Sequence, residues 1–389
     1  MLRDGQPVTL PPKDLETLLV LVENAGHIVE KKELLEKVWP DVFVEEGNLA
    51  RHIFNLRQGL GDGHSYIETI PKRGYRFIAP ITKLGSPAVS QTGVVALQPP
   101  RPSPRQEIRF CVTSDGVRLA WASVGSGYPL VKAANWLNHL DFEWESPLWK
   151  HWIDELTRHH RLIRYDERGN GLSDWEIGEM SLELWVRDLE TVVEASGVGR
   201  FALLGISQGG AVAISYAVRH PERVSHLILL GAYSRGYDYR IPPHELAGRR
   251  ALETLVRLNW GKNLPGFSEA FTKRFIADDA AGEHRRWLDD LQRVSASPEN
   301  AARVMETCDQ ICVRDLLPEV SVPTIVFQCD GDRIVSAEEG RILAAEIPGA
   351  RFVPLPGDNH LLLENEPAWR IFIQELGAFL GWQDGGTRH

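Results

Sequence analysis

The sequence predicts an α+β winged helix-turn-helix domain followed by an α/β domain with a mostly parallel sheet and a helical insertion. Three observations carry this. A Pro-, Ser- and Gly-rich stretch at 84–106 holds no sustained period and separates two periodic regions. Ahead of it, apolar residues at helical spacing give way to two short alternating runs. Behind it, short continuous apolar runs, the mark of strands buried on both faces, alternate with helical segments. The expected organisation is a first domain at 1–83, a linker at 84–106 and a second domain at 107–389. A chain of 389 residues accommodates both.

Composition narrows the function classes. The chain is 43% hydrophobic and 25% charged, as a globular protein is. Its four cysteines, Cys111, Cys308, Cys312 and Cys329, are scattered. Cys308 and Cys312 sit four apart, but no second Cys/His pair matches them, so no metal site and no cofactor are expected. Sparse cysteines, a polar N-terminus without an apolar signal core, and no run near the ~20 apolar residues of a membrane span place the chain in the cytoplasm. A net charge of -10 argues against a chain basic throughout, while leaving room for a local basic patch.

In the first domain, Leu15, Leu18, Leu19 and Val22 repeat at helical spacing, Leu34, Leu35 and Val38 form a second helix, and Leu49, Ile53, Leu56 and Leu60 stripe a third over 46–60. Tyr66-Ile67-Glu68-Thr69-Ile70 and Tyr75-Arg76-Phe77-Ile78 then alternate as strands around a turn at Pro71-Lys72-Arg73-Gly74. With the third helix packed on its Leu/Ile stripe, Asn48, Arg51, His52 and Asn55 face outward. These groups suit base edges and phosphates in a major groove, and Arg57 beside them suits a phosphate. Lys72, Arg73 and Arg76 cluster at the hairpin.

The blocks Leu34-Leu35-Glu36-Lys37-Val38-Trp39-Pro40, Asn48-Leu49 through Leu60, and Thr69-Ile70-Pro71-Lys72-Arg73-Gly74-Tyr75 resemble the OmpR-type winged-helix family over about the first 80 residues. The resemblance implies a double-stranded DNA partner, a wing in the minor groove, and two copies on paired half-sites, hence a homodimer. Phe54 departs from the pattern, standing where relatives often carry a cation. The family also carries further strands ahead of this point, which implies an incomplete N-terminal sheet or a misplaced start codon. No receiver domain precedes the helices, so the second domain is the expected signal input.

That second domain holds the runs 162–165, 201–204, 227–230 and 324–328, with helical stretches such as Leu182–Ser196 and Gly209–Arg219 between them. Gly205-Ile206-Ser207-Gln208-Gly209 falls between an apolar strand and a helix, where glycines permit the sharp turn that lifts a serine hydroxyl above a sheet. Asp330 or Asp332, after the strand at 324–328, is placed to orient a histidine, and His360 follows Pro356-Gly357-Asp358-Asn359. Ser207 as nucleophile and His360 as its base complete a triad.

The order Ser, Asp, His, together with Tyr165-Asp166-Glu167-Arg168-Gly169-Asn170-Gly171-Leu172-Ser173-Asp174, resembles the α/β-hydrolase superfamily over about residues 109–382. The resemblance selects Asp332, because Ile334-Val335 follows it at the family spacing. It makes the Gln208 main-chain N–H the first oxyanion donor. Relatives carry His-Gly after an early strand where this chain has Ala134-Asn135, and Trp136 N–H is the expected second donor. Trp144, Trp149 and Trp152 are expected to pack in the core, the default for tryptophan, with an apolar pocket wall as the alternative. The mostly helical segment at 234–320 resembles a cap, and its Arg257, Arg274, Arg285 and Arg286 are candidate anion contacts. The expected function is a DNA-binding regulator whose hydrolase domain binds, and hydrolyses, a small ester- or lactone-like ligand. The alternative is a serine esterase with an accessory DNA-binding domain.

Overall fold

The computed structural model describes the backbone at residues 2–3 and 6–7, and residues 11–24, 28–39, 49, 52–53, 56–57, 60, 66–70, 73–78, 106–144, 146–262, 271–277 and 282–382. The chain divides into two compact units, Met1–Pro100 and Arg101–His389.

The first unit opens on a short antiparallel pair, β1 (Leu2–Arg3) and β2 (Gln6–Pro7). Helix Pro12–Glu23 starts with a proline at its first position, where a missing N–H costs nothing. Its buried face differs from the expected one. Leu18 and Leu21 are buried with Asp14 and Thr17, while Leu15 and Leu19 are exposed. The polar pair is accommodated by hydrogen bonds: Thr17 Oγ1 donates to Lys13 O at 2.7 Å, and Asp14 receives His52. Helix Lys31–Val38 buries Leu34 and Val38. Among the helical residues between 49 and 60, Leu49, Ile53 and Leu56 are buried as expected. Strands β3 (Ile28–Glu30), β4 (Ile67–Ile70) and β5 (Gly74–Phe77) form an antiparallel sheet in the order β3-β5-β4. Strand β3 was not expected; it is three residues long and carries no alternation to detect. Gly74 is required there, since a Cβ would stand 2.0 Å from Val29 O.

The second unit is built on eight strands: β6 (Glu107–Val112), β7 (Arg118–Val124), β8 (Tyr128–Lys132), β9 (His160–Tyr165), β10 (Phe201–Ile206), β11 (Val224–Leu230), β12 (Thr324–Cys329) and β13 (Arg351–Leu355). Their order is β13-β12-β11-β10-β8-β9-β7-β6. All pairings from β9 through β13 are parallel, and β7 pairs antiparallel with β9 and with β6. Strands β10 and β12 are buried at every residue, which explains the apolar runs Phe201-Ala202-Leu203-Leu204 and Ile325-Val326-Phe327 within them. Helices flank the sheet: Trp152 of Lys150–His159 meets Trp369 and Phe372 of Pro367–Leu380 at 4.8 and 4.9 Å, and Phe372 meets Phe327 of β12 at 4.8 Å. Trp149 and Trp152 are thereby core residues, the default reading of their sequence.

Between β11 and β12 the described chain is mainly helical, with Pro243–Asn259, Glu283–Ser295 and Pro298–Asp309 as its longer helices. Among the described residues no helix is long and apolar enough to cross a membrane, and no cluster of metal-ligating side chains occurs.

Candidate functional site

The sheet's carboxyl ends gather the residues with chemistry. Ser207 sits at φ +54°, a left-handed conformation unusual for serine. Close packing holds it there. A Cβ at Gly205 would stand 2.7 Å from Gly210 Cα, and one at Gly209 would stand 2.7 Å from Ala134 O. The strand can therefore turn into helix Gly209–Arg219 only with glycines on both sides of the serine. Ser207 N–H donates to Leu230 O at 3.0 Å, and Ser207 O accepts Gly210 N–H at 3.0 Å.

Asp332 follows β12. One carboxylate oxygen accepts the main-chain N–H groups of Ile334 (2.8 Å) and Val335 (3.0 Å), which fixes its rotamer. The other lies 2.7 Å from His360 Nδ1, and both side chains are nearly fully buried. Asp332, not the exposed Asp330, thus faces the histidine. With Nδ1–H donating to the carboxylate, Nε2 is the ring's acceptor, and it is buried without a partner. Gly231, at φ +52°, leaves room for this pair: a Cβ would stand 3.1 Å from His360 Cε1.

Ser207, Gln208 and Trp136 line a common cavity of about 50 Å³. Gln208 immediately precedes helix Gly209–Arg219, so its N–H belongs to the positive end of that helix. Among the described residues neither the Gln208 nor the Trp136 main-chain N–H donates a hydrogen bond. Trp136 is held by the segment between β11 and β12: its ring stacks on Phe275 at 5.9 Å, and Nε1 donates to Gln292 Oε1 at 3.2 Å.

Behind the two amides lie buried charges. The Lys132 ammonium contacts Asn135 Oδ1 and lies 4.9 Å from the Trp149 ring. Burial pushes it down to about 8. Burial pushes the Glu167 carboxyl up to about 8. Between the ordinary carboxylate range and pH 8 the folded chain therefore holds a proton at Glu167 that the unfolded chain has lost. Its contribution is full at acid pH and declines as pH rises through that window. Glu167→Gln is expected to flatten the decline, raising stability near pH 8 relative to wild type by a few kcal/mol, on the order of several pK units of linkage. Urea midpoints at pH 5, 6, 7 and 8 test it, and an unchanged slope would refute the burial argument.

In the first unit, Asn48, Arg51, Asn55, Lys72 and Phe54 lie outside the described residues. His52 is not groove-facing as the sequence suggested. Its imidazole meets the fully buried Asp14 carboxylate and tilts on Trp39 at 4.9 Å. Position 52 lies three after Leu49 and four before Leu56, so it borders the core stripe. Arg57 is likewise turned to the hairpin, donating to Ile67 O (2.8 Å) and Thr69 Oγ1 (2.7 Å), four after Ile53 and three before Leu60. Arg76 pairs with its cross-strand neighbour Glu68. Arg73 is exposed at the turn and, among the described residues, its guanidinium has no partner.

A family model described as alpha/beta hydrolase fold matches residues 137–367, and one described as transcriptional regulatory protein, C terminal, matches residues 5–77. The chain belongs to the alpha/beta hydrolase fold family and carries a transcription-regulator DNA-binding domain ahead of it. Its first unit is similar to the transcriptional regulator HilA of Salmonella typhimurium, 43% identical over 94 residues, 24% of this chain but 17% of that regulator. The chain thus spans less than a fifth of that relative. The second unit is similar to the putative carbamate hydrolase RutD of Azorhizobium caulinodans, 25% identical over 66% of this chain and 92% of RutD. Its fold matches a thermophilic esterase from Thermogutta terrifontis with a TM-score of 0.58 at 28% identity, over 71% of this chain and 98% of the esterase.

Proposed function

We propose that this chain is a one-component transcriptional regulator whose hydrolase domain binds and hydrolyses a small ester- or lactone-like ligand, with ligand occupancy setting DNA affinity. The observation that carries the chemistry is the buried Asp332–His360 pair at 2.7 Å, packed on Gly231, whose neighbour Leu230 accepts the N–H of a serine held in a strained strand-to-helix turn. His360 Nε2 takes the Ser207 proton as Oγ attacks the carbonyl carbon. The resulting oxyanion is stabilised by the N–H groups of Gln208 and Trp136. The imidazolium, stabilised by Asp332, then protonates the leaving oxygen as the ester bond breaks, and water repeats the sequence on the acyl-enzyme. The DNA contacts would be Asn48, Arg51 and Asn55, as read from the sequence, and the turn cations, Arg73 foremost, with a homodimer on paired half-sites.

Ligand and DNA must couple through differential affinity for two states. The decisive experiment measures the full chain's affinity for its promoter DNA with and without a panel of esters and lactones, in wild type and Ser207→Ala. A ligand-dependent change that persists in the alanine variant supports regulation by binding. No change with any hydrolysed ester supports the alternative, an esterase with an accessory DNA-binding domain, which the similarity of the second unit to an esterase favours. Arg73→Ala is expected to weaken DNA binding evenly across sequences and to reduce the slope of log affinity against log salt by about 0.9. An unchanged slope removes Arg73 from the interface.

A further inference from the structure

The cavity that Ser207 lines is also lined by Tyr233, Tyr237, Arg240, Arg249 and Arg274. The arginines are not equivalent. Arg249 is engaged in a two-point contact with the fully buried Asp309, at 2.7 and 2.8 Å. Arg240 is not: its guanidinium lies over the faces of Tyr237 (4.4 Å) and Tyr233 (4.7 Å), and its Nε is buried without a hydrogen-bond partner. Arg274 donates from Nη2 to the Tyr237 hydroxyl at 3.1 Å, and that hydroxyl donates to Ile334 O at 3.0 Å, two residues beyond Asp332. Among the described residues neither Arg240 nor Arg274 meets a carboxylate. Burial holds the Cys308 thiol and the Tyr233 phenol neutral, so Asp309 is the one acidic group in this wall, and Arg249 already occupies it.

We infer that Arg240 and Arg274 form a carboxylate subsite, so that the ligand is an ester or lactone bearing a second, free carboxylate on its acyl side. A cation stacked on two aromatic faces is held in orientation but leaves its N–H fork unused, and a planar two-oxygen anion matches that fork. Two cations without an acid partner on one cavity lining favour an anion supplied by the ligand. The same wall explains how occupancy is felt near the reacting groups, because Tyr237 ties Arg274 to the loop that carries Asp332. Of the arginines that sequence alone marked in this segment, Arg274 lines the cavity. Arg257 is bound to Glu299 and Glu306, and Arg285 and Arg286 are not among the lining residues.

This inference rests on the reading of Ser207 as nucleophile, and the test separates the two. The full-length protein is assayed with mono-4-nitrophenyl glutarate and the neutral 4-nitrophenyl pentanoate, and glutarate itself is titrated calorimetrically as a non-reacting probe. Wild type is expected to prefer the charged ester and to bind glutarate. Arg240→Gln and Arg274→Gln are expected to lower the charged-over-neutral ratio of kcat/KM at least about ten-fold, mainly through KM, and to weaken glutarate binding similarly. Arg240→Lys, which keeps charge but loses the fork, is expected to fall between, and circular dichroism melting checks that each variant is folded. Glutarate binding that depends on Arg240, with neither ester hydrolysed, keeps the subsite and overturns the nucleophile. Hydrolysis of both esters with no preference, or glutarate binding indifferent to both arginines, overturns the subsite and keeps the nucleophile.

Discussion

Alanine at position 207 is expected to abolish labelling by a fluorophosphonate probe and to lower ester turnover by about three orders of magnitude or more. The variant should fold normally, since alanine is no more strained than serine at φ +54°. His360→Ala is expected to cost about as much, and the double variant little more, because a nucleophile and its base act as one unit. Asp332→Asn keeps the side chain's size yet removes the acceptor that holds Nδ1–H, and a loss of about two to four orders of magnitude is expected. Ser207→Gly adds a second readout. Relieving the left-handed backbone should raise stability by about 1 kcal/mol while activity disappears. Equal labelling of wild type and Ser207→Ala would remove Ser207 from the chemistry altogether.

The largest expected loss of stability comes from Arg168. Its guanidinium is almost wholly buried and donates to Asp188 at 2.6 and 2.7 Å and to Asp115 at 2.8 Å. Burial pushes the Asp188 carboxyl up and the guanidinium pulls it back, so the ion pair offsets a desolvation cost. Arg168→Ala leaves a carboxylate with no exposure and no counter-charge. A loss of about 3–5 kcal/mol is expected, read as the shift in the urea midpoint of the hydrolase unit. The double change Arg168→Met with Asp188→Leu should recover most of that loss, because removing both charges removes the desolvation cost as well. If the double variant is as unstable as the single one, the pair matters through shape and not through charge.

What could be read in advance divides along physical lines. Strands β10 and β12 were legible because strands buried on both faces carry short continuous apolar runs. The turn at Ser207 was legible because Gly205 and Gly209 stand where a Cβ would collide. The residues alone left Asp330 and Asp332 open as partners of His360, and the resemblance to the α/β-hydrolase superfamily selected Asp332. The inward turn of His52 was not legible: its partner Asp14 lies 38 residues away, and a carboxylate on an otherwise apolar helix face looks like a solvent position. The same blindness hid the true face of helix Pro12–Glu23. Arg240 and Arg249 escaped notice because no local period tells which residues of an irregular helical insertion will reach a cavity. The outermost strand β6 escaped for the opposite reason, being exposed along most of its length and so carrying no apolar signature.

Two hydrogen bonds join the lining of the cavity to the loop that carries His360. The main-chain N–H of His360 donates to Phe275 O at 2.9 Å, and the Ala277 N–H donates to Asn359 Oδ1 at 2.7 Å. Residues 271–277, which reach the cavity through Phe271, Arg274 and Phe275, are thereby tied to the loop that carries the imidazole. Parting the two segments would break both hydrogen bonds, one of them on the backbone of His360 itself.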